Sequence, residues 1–113
     1  MKSKYMGIGV IALLIGIVAL SGCTQSQQNI PPNTVIIQNF AFSPNNLTVK
    51  TGTTVTWINN DSTTHTVTSD NGAFQSSGNL NQGAKYTFTF TKAGTYPYHC
   101  SIHPDMKGTV VVQ

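Results

Sequence analysis

The sequence has 113 residues and a formal net charge of +3 at pH 7. A chain of this length forms one domain at most. Two of its six basic residues, Lys2 and Lys4, lie at the extreme N-terminus, and the remainder is close to neutral, with no arginine and no glutamate. The composition therefore excludes the basic footprint of a nucleic-acid-binding protein.

The first segment of the chain has the pattern of an export signal. A basic start precedes an unbroken apolar run over 7–20, which is shorter than the roughly 18 apolar residues expected of a membrane-spanning helix. The run ends in Leu-Ser-Gly-Cys, which resembles the lipobox of lipoproteins, where cleavage leaves a lipid-bearing cysteine. We predict a lipoprotein-type signal peptide over 1–22 and lipidation at Cys23, with an uncleaved N-terminal anchor as the alternative. Either places the rest of the chain outside the cytoplasm, at the outer face of the cytoplasmic membrane.

The next segment has the composition of a tether. Residues 24–33, TQSQQNIPPN, are polar, end in two prolines and an asparagine, and lack the apolar content needed to pack. Treated as a flexible coil, the segment places its ends roughly 15–20 Å apart. We predict a lipid-anchored tether over 23–33 and a folded domain over 34–113. A disulfide between Cys23 and Cys100 is not expected, because lipidation would occupy the first cysteine.

From residue 34 onward, apolar and polar residues alternate with a period of two, which indicates half-buried strands. Clusters of Pro, Gly, Asn and Asp separate the alternating stretches and predict turns. The predicted strands are 34–40, 46–50, 53–59, 64–69, 84–91, 94–100 and 107–112, and 73–82 has room for one helical turn. This pattern predicts an all-β fold, a Greek-key β-sandwich or barrel of about seven to eight strands.

The large apolar residues of these strands are assigned to the core. They are Leu47, Val49, Val55, Trp57, Tyr86, Phe88 and Phe90. Trp57 could instead serve as a binding platform, but an aromatic residue in the middle of a strand is far more often part of the core. A folded part of about 80 residues can build one small core.

Most of the side chains that could bind a soft metal lie in residues 98–106, YHCSIHPDM, which contain two histidines, a cysteine and a methionine. Along a strand that ends at Cys100, the cysteine shares the inward face with Tyr98, whereas His99 points the opposite way. Adjacent strand residues cannot easily converge on one atom. The alternation therefore predicts Cys100 as a metal ligand and excludes His99.

A loop after the strand can return His103 and Met106 to the side of the cysteine, so that two residues separate each ligand from the next. A fourth ligand must come from elsewhere, and His65 follows a polar loop that could meet this one at the same end of the fold. Two imidazoles, one thiolate and a weak axial thioether match a trigonal blue-copper site. Zinc could also occupy a site of one cysteine and two histidines, but structural zinc sites usually carry more thiolates, so copper is favoured.

These segments together resemble the cupredoxin family, the type 1 blue copper proteins. Residues 94–106 are similar to the C-terminal ligand loop of the plastocyanin/amicyanin group, and the two-residue gaps between the ligands are closest to amicyanin. Residues 42–44, 47–57 and 59–67 also fit the family. The resemblance covers 34–113, the whole predicted folded part.

The resemblance implies one copper ion and four protein ligands. They are His65, Cys100, His103 and Met106. It also implies that the ring edge of His103 reaches the surface through an apolar patch, to which Ile102 and Pro104 would contribute. Redox proteins, a donor and an acceptor, would dock there. Thr66 stands where many members have Asn or Ser bonded to the cysteine loop, and its hydroxyl could serve the same purpose.

We therefore predict a monomeric, membrane-tethered carrier of single electrons and not an enzyme. A metal with four filled ligand positions has no open position for a substrate. Copper delivery or storage is the alternative, and it would show as ready loss of Cu(I) to a chelator without a reversible redox couple. A fragment of a multicopper enzyme is not expected, since such enzymes need a second copper centre and another domain.

Overall fold

In the computed structural model, which describes residues 31–113, the chain forms eight β-strands. They are β1 (Thr34–Gln38), β2 (Ala41–Ser43), β3 (Asn46–Val49), β4 (Thr53–Asn59), β5 (Thr68–Ser69), β6 (Lys85–Phe90), β7 (Gly94–His99) and β8 (Lys107–Val112). The predicted signal peptide, Cys23 and most of the predicted tether lie outside the described residues. Within 31–113 no helix is long and apolar enough to cross a membrane.

The strands form two four-stranded sheets, in the orders β3-β8-β7-β5 and β2-β1-β4-β6. Each sheet contains one parallel pair, β3 with β8 and β1 with β4. The other neighbours are antiparallel. The molecule is an all-β sandwich, which confirms the predicted fold class.

The hairpin between β1 and β2 differs from the prediction, because the strand predicted over 34–40 ends at Gln38. Gln38 pairs with Ala41, so that Asn39 and Phe40 form a two-residue turn. Both turn residues have positive φ, 55° and 56°, as in type I′ hairpin turns. The sequence did not predict this turn or β2, because an Asn-Phe pair lacks the glycine that usually marks such a turn.

The strand predicted over 64–69 is wrong for most of its length. Only Thr68–Ser69 form β5, and His65 makes an isolated bridge with Leu80. The backbone N–H groups of Thr66 and Val67 donate to side chains, a cysteine sulfur and a serine hydroxyl, instead of a neighbouring strand. The alternation of residue types over 64–69 therefore predicted a paired strand where only Thr68–Ser69 pair with a neighbouring strand.

One apolar core is shared by the two sheets. The buried apolar residues are Val35, Ile37, Phe42, Val49, Val55, Trp57, Val67, Phe74, Leu80, Phe90, Tyr98, Cys100, Met106, Val110 and Val112. Among the predicted core residues, Leu47, Tyr86 and Phe88 are only partly buried and pack against this cluster. Trp57 contacts Tyr98 edge to face, with ring centroids 5.5 Å apart, and so belongs to the core as predicted. Cys100 and Met106 lie within the same cluster, which places a potential metal site at one end of the core.

Candidate metal centre

Three of the four predicted ligands converge at one end of the sandwich. One ligand atom each of His65, Cys100 and His103 can be chosen so that all three lie within 4.8 Å of one another. The sulfur of Cys100 is 3.8 Å from Nδ1 of His65 and 3.6 Å from Nδ1 of His103. His65 and Cys100 are fully buried, and His103 is partly exposed.

These separations fit a single metal ion. A first-row metal such as zinc binds sulfur at about 2.3 Å and imidazole nitrogen at about 2.0 Å, and at a trigonal angle of about 120° these bonds hold sulfur and nitrogen about 3.7 Å apart. The measured separations of 3.8 and 3.6 Å lie on either side of that distance. The donor set of one soft sulfur and two imidazoles suits copper in both of its common oxidation states.

The loop after β7 is closed by its own backbone. The Cys100 N–H donates to the carbonyl of Met106 at 3.0 Å, the His103 N–H donates to the carbonyl of Cys100 at 3.2 Å, and the Met106 N–H donates to the carbonyl of His103 at 2.9 Å. Directly below the loop, His99 pairs with Lys107 in the β7–β8 ladder. The loop thus folds around one point, and Met106 is buried in the core cluster that contains Cys100.

His65 is held from its far side by Asp61. Nε2 of the ring lies 2.8 Å from Oδ2 of Asp61, and the carboxylate also accepts the backbone N–H groups of Asn39 at 2.8 Å and Phe40 at 3.0 Å. Burial raises the pKa of Asp61, but the hydrogen bonds from Phe40, Asn39 and His65 outweigh it, so this pKa lies below the usual value of 3.8. The contact with Asp61 was not predicted, although Asp61 is the only acidic residue within four positions of His65.

The sulfur of Cys100 is itself tied to the His65 segment. The N–H of Thr66 points at the sulfur, with nitrogen and sulfur 3.4 Å apart. The hydroxyl of Thr66 accepts the N–H of Ser101 at 2.8 Å. This confirms the hydroxyl bond to the cysteine loop that the family resemblance implied for Thr66. The two segments that supply the histidines and the cysteine are therefore joined by hydrogen bonds.

An exposed apolar surface surrounds the partly exposed His103. Phe40 and Ile102, the exposed large hydrophobic residues in the described part of the chain, are 50% and 48% exposed. The ring of Phe40 meets both imidazoles edge on, with centroids 5.1 Å from that of His65 and 5.0 Å from that of His103. Ile102 and Pro104 belong to the predicted patch, and both are exposed. Phe40 was missed, since it lies far from the ligand loop in the sequence.

His99 lies apart from the three converging residues. Its Nδ1 is 2.5 Å from Oδ1 of Asp70, and its side chain is about a quarter exposed. It does not belong to the His65, Cys100 and His103 group. Strand alternation therefore separated the two neighbours His99 and Cys100 as the structure does.

The fold and the site define a small β-sandwich protein with a soft-metal centre buried at one end of its core. Residues 10–112 match the sequence profile of the cupredoxin-like domain family. The chain belongs to this family, as predicted. Together with the amicyanin and plastocyanin relatives described next, the family confirms copper as the cofactor and the prediction that the chain is not an enzyme.

Three known proteins show the relationship in detail. Amicyanin from Paracoccus denitrificans is 40% identical over 83 residues, which span 70% of this chain and 63% of that protein. Plastocyanin from Scenedesmus fuscus is 39% identical over 84 residues, 64% of this chain and 86% of that protein. A solved structure of the Cu(I) form of a mutant amicyanin is 36% identical, with a TM-score of 0.69, and the match covers 78% of this chain and 88% of that one.

Proposed function

We propose that this protein carries single electrons on one type 1 copper ion between redox partners outside the cytoplasm. The proposed ligands are His65, Cys100, His103 and Met106. The observation that carries the proposal is the buried sulfur of Cys100 with two histidine Nδ1 atoms at 3.6 and 3.8 Å. Copper in such a site supplies a Cu(I)/Cu(II) couple, because thiolate and thioether favour Cu(I) while imidazoles suit both states.

The protein contributes rigidity to the proposed reaction. Cys100 and His103 are fixed by the hydrogen bonds that close their loop, and His65 is fixed by Asp61 on one side and by its bridge to Leu80 on the other. Ligands held in place by the fold need little rearrangement when the charge on the metal changes. Burial of the sulfur and of His65 keeps water away from the same region.

The proposed route for electrons is the exposed side of His103. This histidine is the only partly exposed member of the converging group, and Phe40 and Ile102 offer apolar surface beside it. A redox donor and an acceptor would dock on this surface in turn. The protein would act as a monomer, since the docking face must stay free.

We further propose that the protein is a lipoprotein anchored at the outer face of the cytoplasmic membrane. The support is the sequence pattern alone: a signal peptide over 1–22, a lipid-bearing Cys23 and a tether over 23–33. The tether would confine the domain to the layer in which membrane redox proteins present their sites. The mass of the membrane-bound wild type is expected to show loss of residues 1–22 and addition of a lipid at Cys23, and Cys23→Ala should abolish both changes. A full-length, unmodified mass for the wild type would favour the uncleaved anchor instead.

Adding Cu(II) to the purified protein tests the copper function. We expect an intense blue colour and a reversible one-electron couple, both lost in Cys100→Ser. His99→Asn is the matched control, because this histidine is adjacent to Cys100 but hydrogen bonds to Asp70, and it should keep the colour. A protein that never turns blue would contradict the proposal. Rapid loss of Cu(I) to a chelator without a reversible couple would favour copper delivery or storage.

A further inference from the structure

We propose that Asp61 is a positioning residue of the metal centre, whose single carboxylate fixes His65 and the Asn39-Phe40 turn together. The proposal deepens the proposed copper function, because His65 matters only if it binds the metal. Its geometric content can nevertheless be tested without metal. Nothing in the sequence motif of the ligand loop points to Asp61, which lies in the connection between β4 and β5.

The ring of His65 is the first group that Asp61 holds. The carboxylate of Asp61 accepts two backbone N–H groups and so acts as an acceptor. Its third partner, Nε2 of His65 at 2.8 Å, must then carry the proton. In the neutral ring Nδ1 then carries no proton, and it lies 3.8 Å from the sulfur of Cys100. A carboxylate bound to the outer nitrogen of a histidine fixes both the ring orientation and the tautomer that a metal requires.

The hairpin turn at Asn39 and Phe40 is the second group that Asp61 holds. Phe40 is half exposed and has a φ of 56°. A turn of this kind favours glycine at that position, because glycine lacks a Cβ and tolerates a positive φ. Two of the hydrogen bonds to Asp61 come from the N–H groups of this turn, at 2.8 and 3.0 Å. Side chains held in an unfavourable backbone conformation by their surroundings are concentrated at functional sites.

Asp61 thereby links the His65 ring to the Asn39-Phe40 turn. The ring of Phe40, held by Asp61, lies perpendicular to those of His65 and His103, with centroids 5.1 and 5.0 Å away and interplanar angles of 88° and 90°. One carboxylate thereby orients a buried histidine and an aromatic cover over both histidines. Asp61 is in turn oriented by Asn59, whose Oδ1 accepts the Asp61 N–H at 2.9 Å.

The chain offers a matched control for this arrangement. Asp70 also binds a histidine, His99, at 2.5 Å. That pair is more exposed and lies outside the converging group. Removing the charge of Asp70 changes the net charge of the protein as much as removing that of Asp61, but it should leave the metal centre unchanged.

The experiment reads the ring nitrogens of the metal-free, ¹⁵N-labelled full chain by long-range ¹H–¹⁵N correlation. In the wild type we expect His65 as the single tautomer with the proton on Nε2, together with contacts between the Phe40 ring and both histidine rings. Asp61→Ala should give a mixture of His65 tautomers and lose the Phe40 contacts, whereas Asp70→Asn should retain both. Asp61→Asn keeps the volume of the side chain and should lose at least one of the two features.

Several outcomes overturn the proposal. One is a wild-type His65 with its proton on Nδ1, which decides the matter even if the Asp61 variants do not fold. Another is a folded Asp61→Ala variant that keeps both the tautomer and the Phe40 contacts. With copper added, Asp61→Asn should change the visible spectrum and raise the midpoint potential, because a negative charge that favours Cu(II) is removed. If the wild type never turns blue, the proposed function fails, but the tautomer result still stands or falls by itself.

Discussion

Substituting Asn59 by Asp tests whether the turn that presents His65 depends on one buried amide. Asn59 is fully buried at the end of β4. Its Nδ2 donates to the carbonyls of Thr63 at 2.9 Å and Leu80 at 2.8 Å, while its Oδ1 accepts the N–H of Asp61. Asn59→Asp preserves the shape and the accepting oxygen but removes both donated hydrogen bonds.

The expected loss of stability follows from these contacts. Each of the two lost hydrogen bonds contributes about 1 kcal/mol. A buried carboxylate that faces two carbonyl oxygens adds at least about 1 kcal/mol more. The free energy of unfolding at pH 7 should therefore fall by about 3 kcal/mol, which in a domain of this size lowers Tm by roughly 10–25 °C. The loss should shrink as the pH falls, because a protonated carboxyl group can donate one of the two bonds again.

Urea unfolding of the metal-free protein at pH 7 and at pH 4 measures both effects. Asn60→Asp is the control: the same substitution one residue later, at an exposed side chain, should change stability by less than about 0.5 kcal/mol. Equal stability of the two variants at pH 7 would refute the reasoning. A greater loss for Asn59→Asp at pH 4 than at pH 7 would refute the assignment of Nδ2 as the donor.

Three further predictions concern other parts of the domain. Burial raises the pKa of Tyr98 from 10.0 to about 12. The unfolded chain therefore loses the phenolic proton first, and the free energy of unfolding should fall by roughly 3 kcal/mol between pH 10 and pH 12. Tyr98→Phe should remove that part of the alkaline loss in a urea titration, and an unchanged slope would contradict it. The methyl group added in Gly108→Ala would overlap the ring of Tyr98, which lies opposite Gly108 in β7. We expect the free energy of unfolding, measured by thermal unfolding, to fall by about 1–3 kcal/mol. An unchanged stability would mean that the ring moves freely. Phe40→Gly should change the free energy of unfolding by less than about 1 kcal/mol, because removing the strain of a side chain at positive φ offsets the greater entropy of glycine in the unfolded chain. A larger loss would show that the Phe40 side chain stabilises the fold.

The sequence predicted the sandwich and its ligand loop well, because both depend on short-range patterns. Alternation with period two located the strands of the core, and the same rule separated Cys100 from His99. The loop over 100–106 could be predicted as closed, since strands flank it on both sides and its ligands recur at equal gaps. Metal binding by His65, Cys100, His103 and Met106 remains a prediction.

What the sequence did not predict depends on contacts between distant segments. Asp61 and Phe40 are 21 residues apart, and only the pairing of β1 with β4 brings them together. The bridge between His65 and Leu80 needs the long connection between β5 and β6 to fold back. Neither contact leaves a periodic signal, because each uses a single residue of an irregular segment.

The residues of the metal centre lie on segments that connect to both sheets of the sandwich. His65 lies on the connection that leaves β4 of one sheet for β5 of the other, and Cys100 follows β7 directly, 35 residues later. An ion bound to both would therefore add a cross-link to the hydrogen bonds that join these two segments and to the side-chain packing between the layers. Any ligand that binds only the folded state stabilises the whole fold, by about 2.7 kcal/mol at a free concentration one hundred times its Kd. The resistance of the domain to unfolding, and hence to proteolysis, would rise and fall with the supply of copper.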